Sequence, residues 1–325
     1  MNPQNKVVVI TGASSGIGRA TAHAFARRGA RLVLLARDRA ALDATAKECR
    51  ELGADALVVT ADVGDSAAME AVGEQVLARF GRFDVWINCA AIIHFGRLED
   101  NPAEIIDQVL RTNINGCFNG SRIAIRQFRR TGEGMLINMS SVLAITAQPY
   151  ASAYVASKAA IRSLSDSLRQ EVADVPGIKV CTVLPYAIDT PIYQHAPNYS
   201  GQKAQPVVPR YPAETVADTI IALLDRPQRE VYAGKIGVLA ALTKAVAPPL
   251  SDLIVSTAVN TIELRKESAP ASAGNAFEPV HDGWTVSGGW TALKVPRLAN
   301  PAPLLFAAGA ILVLGQLARV ARRSR

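Results

Sequence analysis

A tyrosine and a lysine one helical turn apart are the first residues in this chain that could do chemistry. The stretch SAYVASKAA, residues 152–160, places Lys158 four positions after Tyr154, so both side chains would share one face of a helix. A nearby ammonium favours the phenolate and lowers a tyrosine pKa from about 10, which would let the phenol exchange a proton near neutral pH. The alternative is a chance pair on a surface helix.

A glycine-rich loop near the N-terminus lies between a strand pattern and a helix pattern. It reads TGASSGIGR, follows the apolar run KVVVI, and contains Gly12, Gly16 and Gly18. Glycines at this spacing allow a tight turn, close approach of a pyrophosphate and close packing of helix on strand. The amino terminus of the next helix supplies free N–H groups for phosphates. The loop therefore predicts a dinucleotide site, rather than a glycine turn without a ligand.

The end of the second predicted strand, LLARDR, bears on the choice of dinucleotide. An acidic residue there would bind the ribose 2′-hydroxyl of NAD, but the sequence has Ala36 and Arg37, and Asp38 follows one or two positions late. Arg37 can pair with a 2′-phosphate, which favours NADP, and NAD is the alternative cofactor. A solvated loop charge is the other interpretation of Arg37.

Alternating strand and helix patterns over the first 235 residues must position these groups. Segments with helical spacing separate the apolar runs KVVVITG, RLVLLAR, ADALVVTADV, FDVWINCA, GMLINMSS and IKVCTVLP. This alternation predicts an α/β fold, a Rossmann-type doubly wound parallel sheet with helices on both faces.

Together these motifs resemble the short-chain dehydrogenase/reductase family. TGASSGIG matches its TGxxxGxG cofactor loop, YVASK matches its YxxxK motif, and Ser141 lies thirteen residues before Tyr154, the family's usual spacing. RTNING supplies Asn113 at the position of the family's active-site asparagine. The resemblance covers roughly residues 5–235. It implies an NADP-dependent oxidoreductase that moves a hydride between nicotinamide and a carbonyl or alcohol.

The resemblance also implies a role for each site residue. Tyr154 is expected to be the acid/base, with its pKa lowered by Lys158 and by the positive nicotinamide ring of the oxidised cofactor. Lys158 is also expected to bind the ribose hydroxyls. Ser141 is expected to hold the substrate oxygen, and Asn113 to hold a water in a proton relay. The expected cofactor contacts are Gly12, Ser14, Ser15, Gly16, Ile17, Gly18, Arg37, Asp62, Val63, Asn88, Tyr154, Lys158, Ile188 and Thr190.

The sequence departs from the family pattern beside the expected pocket. Cys89 and Ala91 replace an asparagine and a glycine after Asn88, and Tyr186 replaces a glycine after the sixth strand. The segments AIIHFG, VLAI and IDTPIYQHAPNY near the expected pocket are largely apolar and predict a bulky, lipophilic substrate. Alternatively, these side chains only pack a lid onto the body. A non-catalytic dinucleotide-binding sensor or scaffold on the same fold is the alternative function.

Composition argues against other classes of protein. Four of the seven residues in the terminal RVARRSR are arginines, and without them the net charge falls from +7 to +3, which argues against a nucleic-acid groove. His94 and His195 have no other potential metal ligands close to them in the sequence. The four cysteines lack the spacings typical of metal sites, so no metal site is expected. A cytoplasmic homo-oligomer with reduced thiols is expected.

The chain changes character after the catalytic domain, residues 1–235. We expect a helical extension over 236–266, a flexible linker over 267–296 and an apolar helix with a basic tail over 297–325. The uncharged run 304–318 would span about 22 Å as a helix, short of a bilayer core of roughly 30 Å. Residues 298–325 therefore predict an interfacial helix on the cytoplasmic side of a membrane. Packing on the protein and a short tail anchor are the alternatives.

Overall fold

A parallel sheet forms the centre of the molecule, whose computed structural model describes residues 1–291. The strands are β1 (Val7–Thr11), β2 (Arg31–Ala36), β3 (Ala56–Thr60), β4 (Val85–Asn88), β5 (Gly134–Met139), β6 (Ile178–Pro185), β7 (Ile188–Asp189), β8 (Gln202–Ala204), β9 (Tyr211–Pro212), β10 (Glu230–Ala233) and β11 (Leu264–Ser268). Seven of them form the sheet in the order β10-β6-β5-β4-β1-β2-β3, and all neighbours are parallel. The strand order reverses between β1 and β4, where open α/β sheets bind ligands.

Helices connect the strands and cover the sheet. They are α1 (Gly16–Ala26), α2 (Arg39–Glu51), α3 (Ser66–Phe80), α4 (Ala103–Leu110), α5 (Gly116–Thr131), α6 (Leu143–Thr146), α7 (Ser152–Glu171), α8 (Ile192–His195), α9 (Ala213–Asp225), α10 (Lys235–Val246) and α11 (Pro248–Ala258). A 3₁₀ turn covers Leu98–Asp100, and π-helical turns cover Arg111–Asn115 and Val259–Glu263.

The alternating side chains of β1 show why the sheet is covered on both faces. Val8 and Ile10 pack with α1, α2 and α9, whereas Val7 and Val9 pack with α3, α5 and α7. All four side chains are at most 2% exposed. A strand buried on both faces reads as a continuous apolar run, as the sequence KVVVI does. The predicted doubly wound fold is therefore confirmed.

The chain beyond β10 forms the predicted helical extension. The helices α10 and α11 pack beside α6 through a cluster that includes Val142, Leu184, Ala240 and Ile254. After the turn Val259–Glu263, β11 pairs antiparallel with β8. Within the first 291 residues, no helix combines the length and apolar character that a membrane crossing needs. The predicted apolar helix over 297–325, with its membrane contact at 298–325, lies outside the described residues.

Candidate active site

A long cleft with about 1430 Å³ of free space opens at the carboxyl ends of the central strands. The structure brings most of the predicted cofactor residues together along it, and Ser141 joins them. Those lining the cleft are Gly12, Ser14, Ser15, Gly16, Ile17, Gly18, Arg37, Asp62, Val63, Tyr154, Lys158, Ile188 and Thr190.

The glycine loop is packed so closely that side chains would not fit. A Cβ on Gly12, whose φ is +70°, would lie 2.8 Å from the Cα of Ala90, and one on Gly18 would lie 2.1 Å from the Gly12 carbonyl oxygen. Thr11 Oγ1 accepts hydrogen bonds from the backbone N–H groups of Cys89 and Ala90, at 2.9 and 3.0 Å. Since this contact uses backbone donors, the replacement of the family's asparagine by Cys89 leaves it intact.

The helix after this loop begins without a side-chain cap. The carboxylates of Asp38 and Asp65 cap α2 and α3, but Ser15 makes no such bond at the start of α1. The first-turn N–H groups of a helix have no acceptor within the helix and carry partial positive charge. This end of α1 therefore fits a phosphate group of a dinucleotide.

The predicted catalytic pair, Tyr154 and Lys158, is held by β5 and α7. Lys158 is 3% exposed, its Nζ lies 5.4 Å from the centre of the Tyr154 ring, and it donates to the Met139 carbonyl oxygen at 2.9 Å. Ser140 Oγ donates to the Lys158 carbonyl oxygen at 2.8 Å, so this serine joins the strand end to the helix. Ser141, one position later, faces the cleft beside Tyr154.

Burial governs the pKa values of this pair in the protein alone. It raises the pKa of Tyr154 to about 12, against a smaller lowering by the Ser141 hydroxyl. It lowers the pKa of Lys158 to about 8. In the protein alone desolvation is the largest influence on the phenol, and the lowering of the tyrosine pKa expected with Lys158 and the oxidised cofactor stays a prediction.

Asn113 and Asn88 differ from the other predicted residues, since neither side chain lines the cleft. Asn113 lies in the π-helical turn Arg111–Asn115, accepts from the Ile92 N–H at 2.9 Å and donates to Ser157 Oγ at 2.9 Å. Asn88 Nδ2 donates to Asn138 Oδ1 at 2.8 Å, which ties β4 to β5. The side chain of Asn88 is thus used inside the sheet, and its predicted cofactor contact stays a prediction.

A C-terminal segment, residues 275–291, lies across the cleft and is called the strap below. The guanidinium of Arg37 donates to the carbonyl oxygens of Asn275, Ala276 and Phe277. The Gly16 N–H donates to the Thr285 carbonyl oxygen at 2.9 Å. The expected flexible linker is therefore, over these residues, a wall of the cofactor cleft.

A buried carboxylate holds the far end of the strap. Asp189 is 1% exposed and accepts hydrogen bonds from the backbone N–H groups of Gly288, Trp290 and Thr291 at 2.9 to 3.1 Å. It also accepts from the hydroxyls of Ser287 and Thr291. Sequence reasoning missed this contact. The Gly-Trp pairs at residues 283–284 and 289–290 could have indicated an ordered segment, because disordered segments contain few aromatic residues.

A second, mostly apolar cavity adjoins Ser141 and Tyr154. Ser141 and Tyr154 line both this cavity and the cleft. Its apolar wall comes partly from the segments that the sequence singled out and partly from the extension. The apolar lining residues are Ile93, Val142, Leu143, Pro185, Ala187, Ile192, Val207, Ala240, Val255, Ala258 and Val259.

This arrangement is that of a dinucleotide-binding oxidoreductase. The chain belongs to the short chain dehydrogenase family, whose sequence model matches residues 6–199. The family resemblance is thereby confirmed.

Similar proteins support the same assignment. The uncharacterized oxidoreductase YxnA of Bacillus subtilis (strain 168) is 33% identical over 317 residues, which cover 94% of this chain and 88% of that protein. A short chain dehydrogenase/reductase structure from Burkholderia phymatum, in complex with NAD, has a TM-score of 0.70 at 25% identity, covering 78% of this chain and 97% of that one. An alcohol dehydrogenase from Thermococcus sibiricus, complexed with 5-hydroxy-NADP, has a TM-score of 0.62 at 30% identity, covering 70% and 96%.

Proposed function

We propose that this chain is an NADP-dependent oxidoreductase that interconverts a lipophilic ketone or aldehyde and its alcohol. The observation that carries the proposal is the position of Ser141 and Tyr154, which line both the dinucleotide cleft and the apolar cavity. A substrate oxygen at this junction would meet a hydroxyl donor and a phenol while the rest of the molecule lies among apolar side chains.

Each polar group at the junction has a role in the proposed reaction. When bound, the nicotinamide supplies or accepts the hydride. The Ser141 hydroxyl donates a hydrogen bond to the substrate oxygen and stabilises charge that develops there. Tyr154, whose pKa is raised to about 12, stays protonated near neutral pH and is ready to give its proton during reduction. Lys158 Nζ, 5.4 Å from the ring centre, stabilises the phenolate that results.

The preference for NADP over NAD rests on the end of β2. Arg37 lines the cleft and is oriented by the strap carbonyls. Asp38 is engaged elsewhere, because one oxygen caps α2 through the Ala41 N–H and the other lies 2.9 Å from His281 Nδ1. A positive group at this position favours a 2′-phosphate over a bare ribose hydroxyl.

The test is a turnover screen of the purified protein with NADPH and NADH. The substrates are matched series of aliphatic ketones, small sugars and hydroxy acids, and oxidation of the dinucleotide is followed by absorbance. We expect turnover with NADPH that rises with the apolar size of the ketone. A preference for sugars or hydroxy acids would contradict the lipophilic substrate. Tight dinucleotide binding without turnover of any compound would favour the sensor or scaffold.

Two expectations of the sequence belong to the same proposal. We expect a cytoplasmic protein that forms a homo-oligomer. Light scattering tests the oligomeric state. We also expect residues 298–325 to bring the protein to anionic membrane surfaces. Flotation with anionic liposomes compares the full chain with one that ends at Pro296, and equal recovery of both in the soluble fraction would contradict the membrane role.

A further inference from the structure

Two polar side chains, one buried and one partly buried, interrupt the apolar cavity beside Ser141 and Tyr154. Glu263 ends the π-helical turn Val259–Glu263 and is 2% exposed. Gln148 lies in the loop after α6, and both residues line the cavity with Ser141 and Tyr154. Among residues 1–291, neither Oε2 of Glu263 nor Nε2 of Gln148 has a hydrogen-bond partner. The cavity therefore offers one acceptor and one donor that the protein leaves unpaired.

Leaving such groups unpaired is costly for the folded protein. A buried polar group without a partner costs about 1–3 kcal/mol, and a charged one costs more. Burial raises the pKa of Glu263 to about 8, and the nearby Gln148 amide opposes this only in part. The carboxyl group is thus held in an environment that favours its neutral form.

The backbone around Glu263 is held in place on both sides. The Gln205 N–H donates to the Glu263 carbonyl oxygen at 2.9 Å, and Gln205 Nε2 donates to the Ile262 carbonyl oxygen at 2.7 Å. The next residue, Leu264, begins β11 and pairs with Ala204 of β8. These contacts fix the direction in which the Glu263 side chain leaves the backbone.

The loop that carries Gln148 is also held, and it is tied to the same turn. Ala147 and Tyr150, on either side of Gln148, have φ angles of 55° and 64°. Residues other than glycine rarely adopt this left-handed backbone conformation. The Tyr150 hydroxyl donates to Asn260 Oδ1 at 3.0 Å, which joins this loop to the π-helical turn. The structure therefore maintains a strained loop that places the amide and the carboxyl group in one cavity.

A donor and an acceptor side by side define the chemistry of the missing partner. A hydroxyl group can accept from Gln148 Nε2 and donate to Glu263 Oε2 at the same time. An ammonium group has only donors and would leave the amide unpaired, and a hydrocarbon would leave both groups unpaired. A hydroxyl group can therefore satisfy both, because Oε2 accepts in the charged carboxylate and also in the neutral acid that carries its proton on Oε1.

We propose that the substrate is a lipophilic ketone or alcohol that carries a second hydroxyl group, which Gln148 and Glu263 recognise. This inference rests on the proposed function, because Ser141 and Tyr154 hold the reacting oxygen of the same molecule. Glu263 lies beyond residues 6–199, the part that matches the family model. The proposed subsite thus combines Gln148 of the family core with Glu263 of the extension.

The test uses three series of methyl ketones of increasing chain length. One series is unsubstituted, one carries a terminal hydroxyl and one carries a terminal ammonium. At the best chain length we expect kcat/KM of the wild type to favour the hydroxy ketone by about tenfold or more, because a site built for a hydroxyl rejects the analogue that lacks it. Isothermal titration calorimetry with the same ketones measures affinity without turnover.

Variants separate hydrogen bonding from packing. Glu263→Met and Gln148→Met should each bring kcat/KM for the hydroxy ketone to within a factor of about two to three of that for the plain ketone. Glu263→Gln keeps an acceptor and should retain part of the preference. Glu267→Gln changes an exposed carboxylate on β11 and should retain all of it. A preference that survives both methionine variants would overturn the proposal.

The remaining outcomes are also decisive. Equal kcat/KM and equal affinity for plain and hydroxylated ketones in the wild type would overturn this inference and leave the proposed function standing. A wild type that favours the ammonium ketone would show recognition of charge and overturn the hydroxyl. If no ketone is turned over, the proposed function fails. Calorimetry then decides alone: tighter binding of the hydroxy ketone that Glu263→Met abolishes supports recognition of the hydroxyl, and its absence contradicts it.

Discussion

The family core and the C-terminal extension enclose the same cleft with different kinds of contact. The core contributes side chains of particular type, such as Tyr154 and Lys158, and a loop that only glycine fits. The strap contributes mainly backbone, since its carbonyl groups accept from Arg37 and Gly16. Chemistry that needs particular side chains leaves a motif in the sequence, whereas a wall built from backbone leaves almost none.

The largest expected effect tests the core. Tyr154→Phe should lower kcat by about 10²–10⁴-fold and leave the affinity for NADPH nearly unchanged, because it removes the proton donor and keeps the ring. Steady-state kinetics and fluorescence titration measure the two quantities. Tyr199→Phe, outside both cavities, is the matched control. Turnover of Tyr154→Phe within threefold of the wild type would contradict the mechanism.

The next effect tests the strap. Asp189→Asn removes a buried charge that accepts from five donors of residues 287–291, so the strap should detach more often. Hydrogen bonds to a charged group are worth roughly 1.5–3 kcal/mol, which predicts release of NADPH about ten- to a hundredfold faster. Stopped-flow release and hydrogen exchange at the Gly288 and Trp290 amides measure this. Asp218→Asn, which changes an exposed residue of α9, is the control. Unchanged release with faster exchange would show that the strap does not retain the dinucleotide.

Arg37 of the family core contacts the strap, so its replacement tests the contributions of both regions to cofactor binding. Arg37→Ala should weaken NADPH binding by about tenfold or more, through loss of a charged contact with the 2′-phosphate, and should barely change NADH binding. Fluorescence titration gives both affinities, with Arg39→Ala as the exposed control. An equal loss for NADPH and NADH would assign the effect to the detached strap instead.

The smallest effect concerns pH and the extension. The pKa of Glu263 rises from 4.5 to about 8 in the folded protein, so between these values the unfolded chain has lost the proton that the folded chain keeps. The free energy of unfolding should therefore fall as pH rises through this window, by up to about 1.4 kcal/mol per pH unit, and change little further above it. Glu263→Gln should flatten this slope in urea unfolding at several pH values. Parallel profiles for both proteins would contradict the assigned burial.

Local pattern predicted most of the sheet and the catalytic residues. β-branched runs such as KVVVI indicated six strands, because burial on both faces demands continuous apolar sequence. The short edge strand Glu230–Ala233 was missed, since three of its four residues are only partly buried and one is charged. The four-residue spacing predicted that Tyr154 and Lys158 share one helix face, and the family resemblance added Ser141.

Local sequence patterns could not predict contacts between distant residues or the burial of individual side chains. Arg37 meets Ala276 across 239 positions, and no spacing rule connects them. Burial raises the pKa of Tyr154 in the protein alone, and local sequence could not predict this because desolvation depends on the surrounding fold. Glu263 was missed for the same reason, since one glutamate at the end of a helical segment carries no sign of its burial.

Transfer of deuterium tests the central claim most directly. NADPH deuterated at C4 of the nicotinamide is incubated with the wild type and a lipophilic ketone, and the alcohol is analysed by mass spectrometry. We predict deuterium on the carbinol carbon with the wild type and almost none with Tyr154→Phe in the same time. Alcohol without deuterium, or equal labelling by both proteins, would contradict hydride transfer assisted by Tyr154.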